Sequence, residues 1–176
     1  MITRPVTRRD FSMRLAAMLP ALGLARLPFA SAASAAPPVL QDDGISHDAE
    51  AIHQEVAFKA SPMLIYDALM DAKQFSKMTG GAPAEIDRKA GGAFSLFGAR
   101  IKGRSVFLLR PHLIVQAWRS EAWEPGAYSI VHFDLKAQGT GTKLVFDHTG
   151  FPKGEAQHLA TGWKLNYWDS LEKFLT

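Results

Sequence analysis

The chain has 176 residues, with 20 Lys and Arg against 17 Asp and Glu, a formal charge of +3 and a pI near 9.3. Apolar residues make up 47% and charged residues 21%, the balance of one globular domain able to bury a core rather than of a disordered chain. There is no cysteine, which excludes disulfides, thiol nucleophiles, Cys-based zinc sites and iron–sulfur clusters.

The basic excess is local. Residues 1–35 carry Arg4, Arg8, Arg9, Arg14 and Arg26 against Asp10 alone, a charge of +4, and the remainder carries 15 basic and 16 acidic residues, a charge of −1. A basic start leads into an apolar run from Leu15 to Phe29, followed by small residues from Ala30 to Ala36. Ala30-Ser31-Ala32 and Ala33-Ser34-Ala35 both fit a small-x-small cleavage site, completing the three-part layout of an export signal. The run is broken by Pro20, Gly23, Arg26 and Pro28, so no stable membrane span is expected in the mature form. Thr7-Arg8-Arg9-Asp10-Phe11 resembles the twin-arginine export motif, in which Arg8, Arg9 and Phe11 are the signature residues. That resemblance implies the bacterial periplasm, reached after folding. With the signal set aside, the remaining charge gives no reason to expect nucleic acid as a partner.

Residues 36–50, with two prolines and Asp42-Asp43-Gly44, read as a linker, and residues 51–176 as the domain. A short alternating run from Ile52 through Val56 and Phe58 predicts a first strand ending at Lys59. Ser61-Pro62 predicts a helix start, Ser as cap and Pro in the first turn. A second short helix through Phe75 and Met78 stops at Gly80-Gly81. Strands are then expected at 84–89, 92–97, 101–110, 113–119, 128–137 and 142–149, separated by Gly and Pro breakers, which describes an antiparallel meander. From Gly154 a long C-terminal helix is expected, with Leu159, Trp163, Tyr167, Leu171 and Phe174 as its apolar stripe.

The last hairpin sets a register. A two-residue Gly139-Thr140 turn puts Phe133 opposite Phe146, Leu135 opposite Leu144 and Val131 opposite His148, all on one sheet face. The other face then carries Lys143 and a cross-strand surface pair, His132 with Asp147. The C-terminal helix is the natural cover for the apolar face.

This order of elements resembles the START-like, or SRPBCC, helix-grip fold: α+β, with an antiparallel six- to seven-stranded curved sheet wrapped around a long C-terminal helix. Ala60-Ser61-Pro62, Gly91-Gly92-Ala93-Phe94-Ser95-Leu96-Phe97-Gly98, Trp118-Arg119, Trp123-Glu124-Pro125-Gly126-Ala127-Tyr128-Ser129 and Gly141-Thr142-Lys143-Leu144 sharpen it. With His148-Thr149-Gly150-Phe151-Pro152, Gly162-Trp163 and Tyr167-Trp168, they are similar to the C-terminal domain of the activator of the 90-kDa heat-shock protein ATPase. In a domain of this fold Trp118, Phe133, Phe146, His148, Trp163 and Tyr167 line the space between sheet and helix, either as solid core, with His148 bonded to a backbone carbonyl, or around a partly hollow core that admits a flat or oily molecule, with His148 as its polar handle.

Three functions follow from it. The first is non-enzymatic binding of a small hydrophobic molecule in that cavity. The second is a protein-interaction, co-chaperone-like module using the outer sheet or the Trp123–Tyr128 loop. An exported domain would not meet a cytoplasmic chaperone, and fold does not fix function. The third is a cavity enzyme of cyclase or hydrolase type, which needs an acid and a base in the cavity, where only His148 is a candidate. No cofactor is expected. The six His residues, at 47, 53, 112, 132, 148 and 158, form no metal-ligand spacing, and no Gly-x-Ser-x-Gly elbow is present.

Overall fold

The structure, a computed structural model, describes residues 50–176. The expected export signal and residues 36–49 of the expected linker lie outside the described residues. Strand β1 (Ala51–Phe58) leads into two short helices, α1 (Pro62–Met70) and α2 (Ala72–Met78). Six strands follow: β2 (Glu85–Ile86), β3 (Ala93–Leu96), β4 (Ile101–Leu109), β5 (Leu113–Ser120), β6 (Ser129–Gln138) and β7 (Gly141–Thr149). The C-terminal helix comprises α3 (Ala156–Trp163), a π-helical turn (Lys164–Trp168) and α4 (Asp169–Leu175). All neighbouring strands are antiparallel, in the order β1-β7-β6-β5-β4-β3-β2, so the first strand closes onto the last. This is the expected helix-grip architecture. Among the described residues no helix is long and apolar enough to cross a membrane.

The β6–β7 register is as the hairpin arithmetic requires: Phe133 opposite Phe146, Leu135 opposite Leu144, Val131 opposite His148 and His132 opposite Asp147. The expected cross-strand pair of His132 with Asp147 is thus in place, but the hydrogen bond of Asp147 goes to the other side. Asp147 lies between two histidines, because β7 also pairs with β1, and its carboxylate meets His53 Nδ1 at 2.7 Å. The inner faces of β5, β6 and β7 bury Ile114, Trp118, Val131, Phe133, Leu135, Leu144 and Phe146 against the C-terminal helix.

One start signal works differently from expectation. Ser61 sits at the helix cap but its side chain makes no capping bond, and Pro62 alone fits the first turn. Asp71 is the working cap, accepting from the backbone N–H of Lys73 and Gln74 at 3.1 and 3.0 Å and so starting α2 directly after α1. The start of α3 is held from far along the chain: Glu50 Oε2 accepts from Gly154 N–H at 3.0 Å.

The π-helical turn corrects the expectation of an uninterrupted α-helix. Leu159, Trp163, Tyr167 and Leu171 recur at every fourth residue, whereas an α-helix advances about 100° per residue, so such a stripe drifts by roughly 40° at each step. Over three steps that would carry Leu171 well off the core. The wider turn, in which Asp169 N–H reaches Lys164 C=O, takes up one extra residue and brings the stripe back. Trp163, Tyr167, Trp168 and Leu171 are all buried as a result.

Gly103 explains a close approach on the inner sheet face. It lies opposite Trp118 on β5 and Phe94 on β3. A Cβ there would collide with the Ala117 carbonyl and the Phe94 ring, so the ring packs where a side chain would otherwise stand.

Candidate functional site

One pocket of about 300 Å³ opens between one end of the sheet and the first half of the C-terminal helix. Phe97, Arg100 and Ile101 approach from the β3–β4 turn and the start of β4, Trp118 and Ser120 from β5, and Ala122 and Trp123 from the loop after it. The helix side contributes Glu155, His158, Leu159, Gly162, Trp163, Asn166 and Tyr167. The interior is aromatic, while Arg100 and His158 are exposed at its edge.

The expected cavity residues divide three ways. Trp118, Trp163 and Tyr167 line the pocket. Phe133 lines a separate void of about 10 Å³, with Leu69, Phe75 and Tyr167 among its neighbours, which is room for no more than a water. Phe146 and His148 line neither, a correction to the expected lining: they are fully buried in packed core. The hollow is displaced toward one end of the helix, and the middle of the sheet is solid.

His148 is a structural centre. Its Nδ1 accepts from Trp163 Nε1–H at 3.0 Å, and its Nε2 lies 2.7 Å from Ser129 Oγ, which in turn is 3.0 Å from the Trp118 carbonyl. The one assignment that satisfies every atom puts the proton on Nε2, donating to Ser129, whose hydroxyl donates to Trp118 C=O. Trp118, Phe146, Phe151 and Trp163 surround the ring edge-on. Burial lowers its pKa to about 4, so the imidazole is neutral at physiological pH. Through Trp163 and Trp118 this relay fixes two walls of the pocket.

The third wall, Tyr167, carries an unsatisfied group. Its hydroxyl and the Trp118 indole N–H are both buried with no hydrogen-bond partner among the described residues. Burial raises the Tyr167 pKa far above the usual phenol range, and the Trp118 N–H beside its oxygen pulls the other way. Phe97 reaches Tyr167 and Phe75 with ring centroids 5.7 and 5.4 Å apart. It does so from a turn in which Phe97, Gly98 and Ala99 all have positive φ, at 52°, 67° and 71°. Left-handed backbone at two non-glycine residues is costly, and here it aims an aromatic ring at the pocket.

Sequence reasoning missed Phe97, Arg100, Trp123, Glu155 and His158. One signal was available. Gly162 sits inside α3, where glycine is unfavourable, and a Cβ there would meet nothing closer than Asn166 Nδ2 at 3.9 Å. Neither backbone conformation nor packing demands it. What its lack of a side chain leaves is room in the pocket.

Among the described residues no three His, Asp or Glu side chains gather as metal ligands would. On the outer sheet face, the β6–β7–β1 half is polar, with Glu55–Lys143 and His53–Asp147 pairs. The β4–β5 half is not: Phe107 pairs with Val115 and Leu109 with Leu113, Ile130 lies beyond Ala117, and Phe107, Leu109 and Ile130 are exposed.

The profile of the family described as activator of Hsp90 ATPase homolog 1-like protein matches residues 59–176. An activator of 90 kDa heat shock protein ATPase homolog from Dictyostelium discoideum is 31% identical over 116 residues, 65% of this chain and 30% of that protein. The chain thus spans about a third of the length of such relatives. The crystal structure of an HSP90 activator from Plasmodium falciparum superposes with a TM-score of 0.68 at 28% identity, covering 71% of this chain and 95% of that one. CalU16 from Micromonospora echinospora shares the fold, with a TM-score of 0.62 at 22% identity over 73% of this chain and 77% of its own.

Proposed function

The chain belongs to the family of activator of Hsp90 ATPase homolog 1-like proteins, and from that premise we propose that it is a non-enzymatic module that binds a small hydrophobic molecule between its sheet and its C-terminal helix. The observation that carries this is the aromatic pocket of about 300 Å³, at the small end of the range for ligand sites. Gly162, kept where a larger residue would strengthen the helix, supports it. The enzymatic alternative has less support: His148 is neutral, fully engaged and lines neither hollow, and the Glu155 and His158 that do line the pocket share no hydrogen bond, His158 being exposed at its edge. Native mass spectrometry of the protein purified from its own host tests the proposal. A copurified small molecule is expected, and a bare polypeptide mass would count against a carrier role.

A second reading rests on the apolar outer face of β4 and β5. Lys102 and Arg119 are cross-strand neighbours at one end of it, next to Arg104, and none of the three is ion-paired to a described residue. An exposed apolar strip beside cations that have no acidic partner among the described residues, Arg104 and Arg119 being held by the Gly91 and Trp123 carbonyls, suits a protein partner with an acidic, partly apolar surface. The relatives' names point to the 90-kDa heat-shock protein for such a role. Stimulation of that chaperone's ATPase by the full chain, lost in Phe107→Asp, would support it, and no stimulation by the unaltered chain would remove it.

Export by the twin-arginine route to the periplasm is part of the proposal. Its support is the Thr7-Arg8-Arg9-Asp10-Phe11 motif and the small residues before Pro37. A periplasmic protein would not meet a cytoplasmic chaperone, and for that reason ligand binding comes first.

A further inference from the structure

Strand β4 has a neighbour on both sides for only part of its length. Strand β3 runs beside it with Leu96 to Ala93 opposite Ile101 to Arg104, and Ser105 N–H still reaches the Gly92 carbonyl at 2.9 Å. From Val106 to Leu109 it has β5 on one side and, among the described residues, no strand on the other. Backbone N–H and C=O groups alternate sides along a strand, so this stretch presents an open edge. Val106, Phe107 and Leu109 are 54%, 50% and 52% exposed there, and Leu108 packs on the core, which ties the edge to the sheet. Sheet edges are ordinarily blunted by charge, proline or cover. Val106 to Leu109 carry neither charge nor proline, and the one such device within them is the bulge between Ser105 and Phe107.

We propose that the β4 edge from Val106 to Leu109 takes an extended segment of another protein as an added antiparallel strand, apolar at alternate residues and acidic at its C-terminal end. This rests on the second reading, that a protein meets the β4–β5 face, and adds the mode of recognition and the partner's chemistry. Main-chain bonds hold such a strand, and its alternate side chains extend the apolar strip of Phe107, Leu109, Leu113 and Val115. Every neighbouring pair in this sheet is antiparallel, the slightly more stable arrangement. Charge fixes where the acidic residues fall. Arg110, just past Leu109, already meets Asp67 at 2.9 Å, whereas Lys102, Arg104 and Arg119, at the other end, have no acidic partner among the described residues. A strand antiparallel to β4 reaches those cations last. A second copy of this chain fits worse, because β4 laid antiparallel on itself brings its Arg104 and Arg110 ends together, like against like. A lipid surface would leave the N–H and C=O groups of the edge unpaired.

The probe is the peptide acetyl-Thr-Val-Thr-Val-Thr-Val-Glu-Glu-amide, titrated on the full chain by isothermal calorimetry. Two further peptides carry N-methyl groups on alternate residues in opposite phase, and a third ends in Lys-Lys. An added strand bonds through only one of its edges, so one methylated peptide should lose about tenfold or more while the other binds within about twofold of the unmethylated one. The Glu-Glu ending should outbind Lys-Lys by about fivefold at low salt, and Arg104→Gln should shrink that preference. Val106→Lys and Leu109→Lys, at exposed positions, should each weaken the acidic peptide by about tenfold despite the added positive charge. Circular dichroism checks that each variant folds. Equal binding of the two methylated peptides would overturn strand addition while leaving the face as a docking surface, and tighter binding of Lys-Lys would overturn the charge assignment. No binding by any of the peptides would overturn the edge site, with the second reading still tested separately by the ATPase assay. A dimer in sedimentation that Val106→Lys dissociates would give the edge to a second copy instead. Binding to phosphatidylglycerol vesicles without binding to peptide would give it to a membrane surface.

Discussion

Replacing Gly162 by Ala and by Leu separates the stability of the C-terminal helix from the space beside it. Gly162 lies one residue before the end of α3 with helical backbone, and a new Cβ would find its nearest neighbour, Asn166 Nδ2, at 3.9 Å, an ordinary contact. Alanine should therefore recover most of the helix-propensity difference, about 1 kcal/mol, and raise the melting temperature by roughly 3–5 °C for a domain of this size. Leucine has nearly the same propensity, but its four-carbon side chain enters a pocket of only about 300 Å³. Gly162→Leu should melt no lower than the parent yet lose at least tenfold in affinity for a hydrophobic probe such as 8-anilinonaphthalene-1-sulfonate. Differential scanning calorimetry and calorimetric titration give the two numbers on the same sample. Unchanged affinity in a stably folded Gly162→Leu would refute the assignment of the pocket as the binding site. A melting temperature that falls in Gly162→Ala would refute the claim that nothing else requires glycine there.

Other outcomes follow from the same structure. His148 has a folded pKa of about 4 against an ordinary 6.5, so the unfolded chain binds the extra proton first. Its contribution is complete above pH 6.5 and is lost as the pH falls toward 4, by up to about 3 kcal/mol. Urea unfolding at pH 7 and pH 4.5 should show that loss in the parent and a smaller one in His148→Gln, and equal losses would exclude His148 as the cause. Gly103→Ala forces a methyl against the Phe94 ring and the Ala117 carbonyl and should cost about 1–3 kcal/mol or more in urea unfolding, with no gain from better strand propensity. Changing Arg8 and Arg9 together to Lys should leave the precursor in the cytoplasm, read by fractionation and immunoblotting. An unchanged periplasmic yield would remove the twin-arginine route.

Much of the scaffold is legible because local rules and long-range pairing agree. The β6–β7 register follows from a two-residue turn and strict alternation, and a slip by one residue would put Phe133 and Phe146 on opposite faces of the sheet. The same reasoning stops short at Asp147, whose two flanking strands both offer a histidine. A hairpin shows only one of them. The π-helical turn is encoded in four-residue spacings that an α-helix cannot keep on one face, a signal visible in the sequence once the drift is added up. The pocket is harder to see. Periodicity assigns Phe146, His148, Trp163 and Tyr167 alike to the interior, but it does not say how far along the helix each lies from the solid middle of the sheet. The hollow is bounded by Phe97, in a left-handed turn, and by Trp123, in a loop, and neither position follows from strand or helix periodicity. The sequence places His148 on the inner face but does not name its partners, Ser129 and Trp163, because they come from another strand and from the helix.

The central claim is that this domain carries a small molecule beside Gly162. Native mass spectrometry of the unaltered protein and of Gly162→Leu, both purified from the natural host, tests it most directly. A small-molecule adduct on the unaltered protein that is absent from the folded variant is the expected result. Bare polypeptide mass for both, or the same adduct on both, would contradict it.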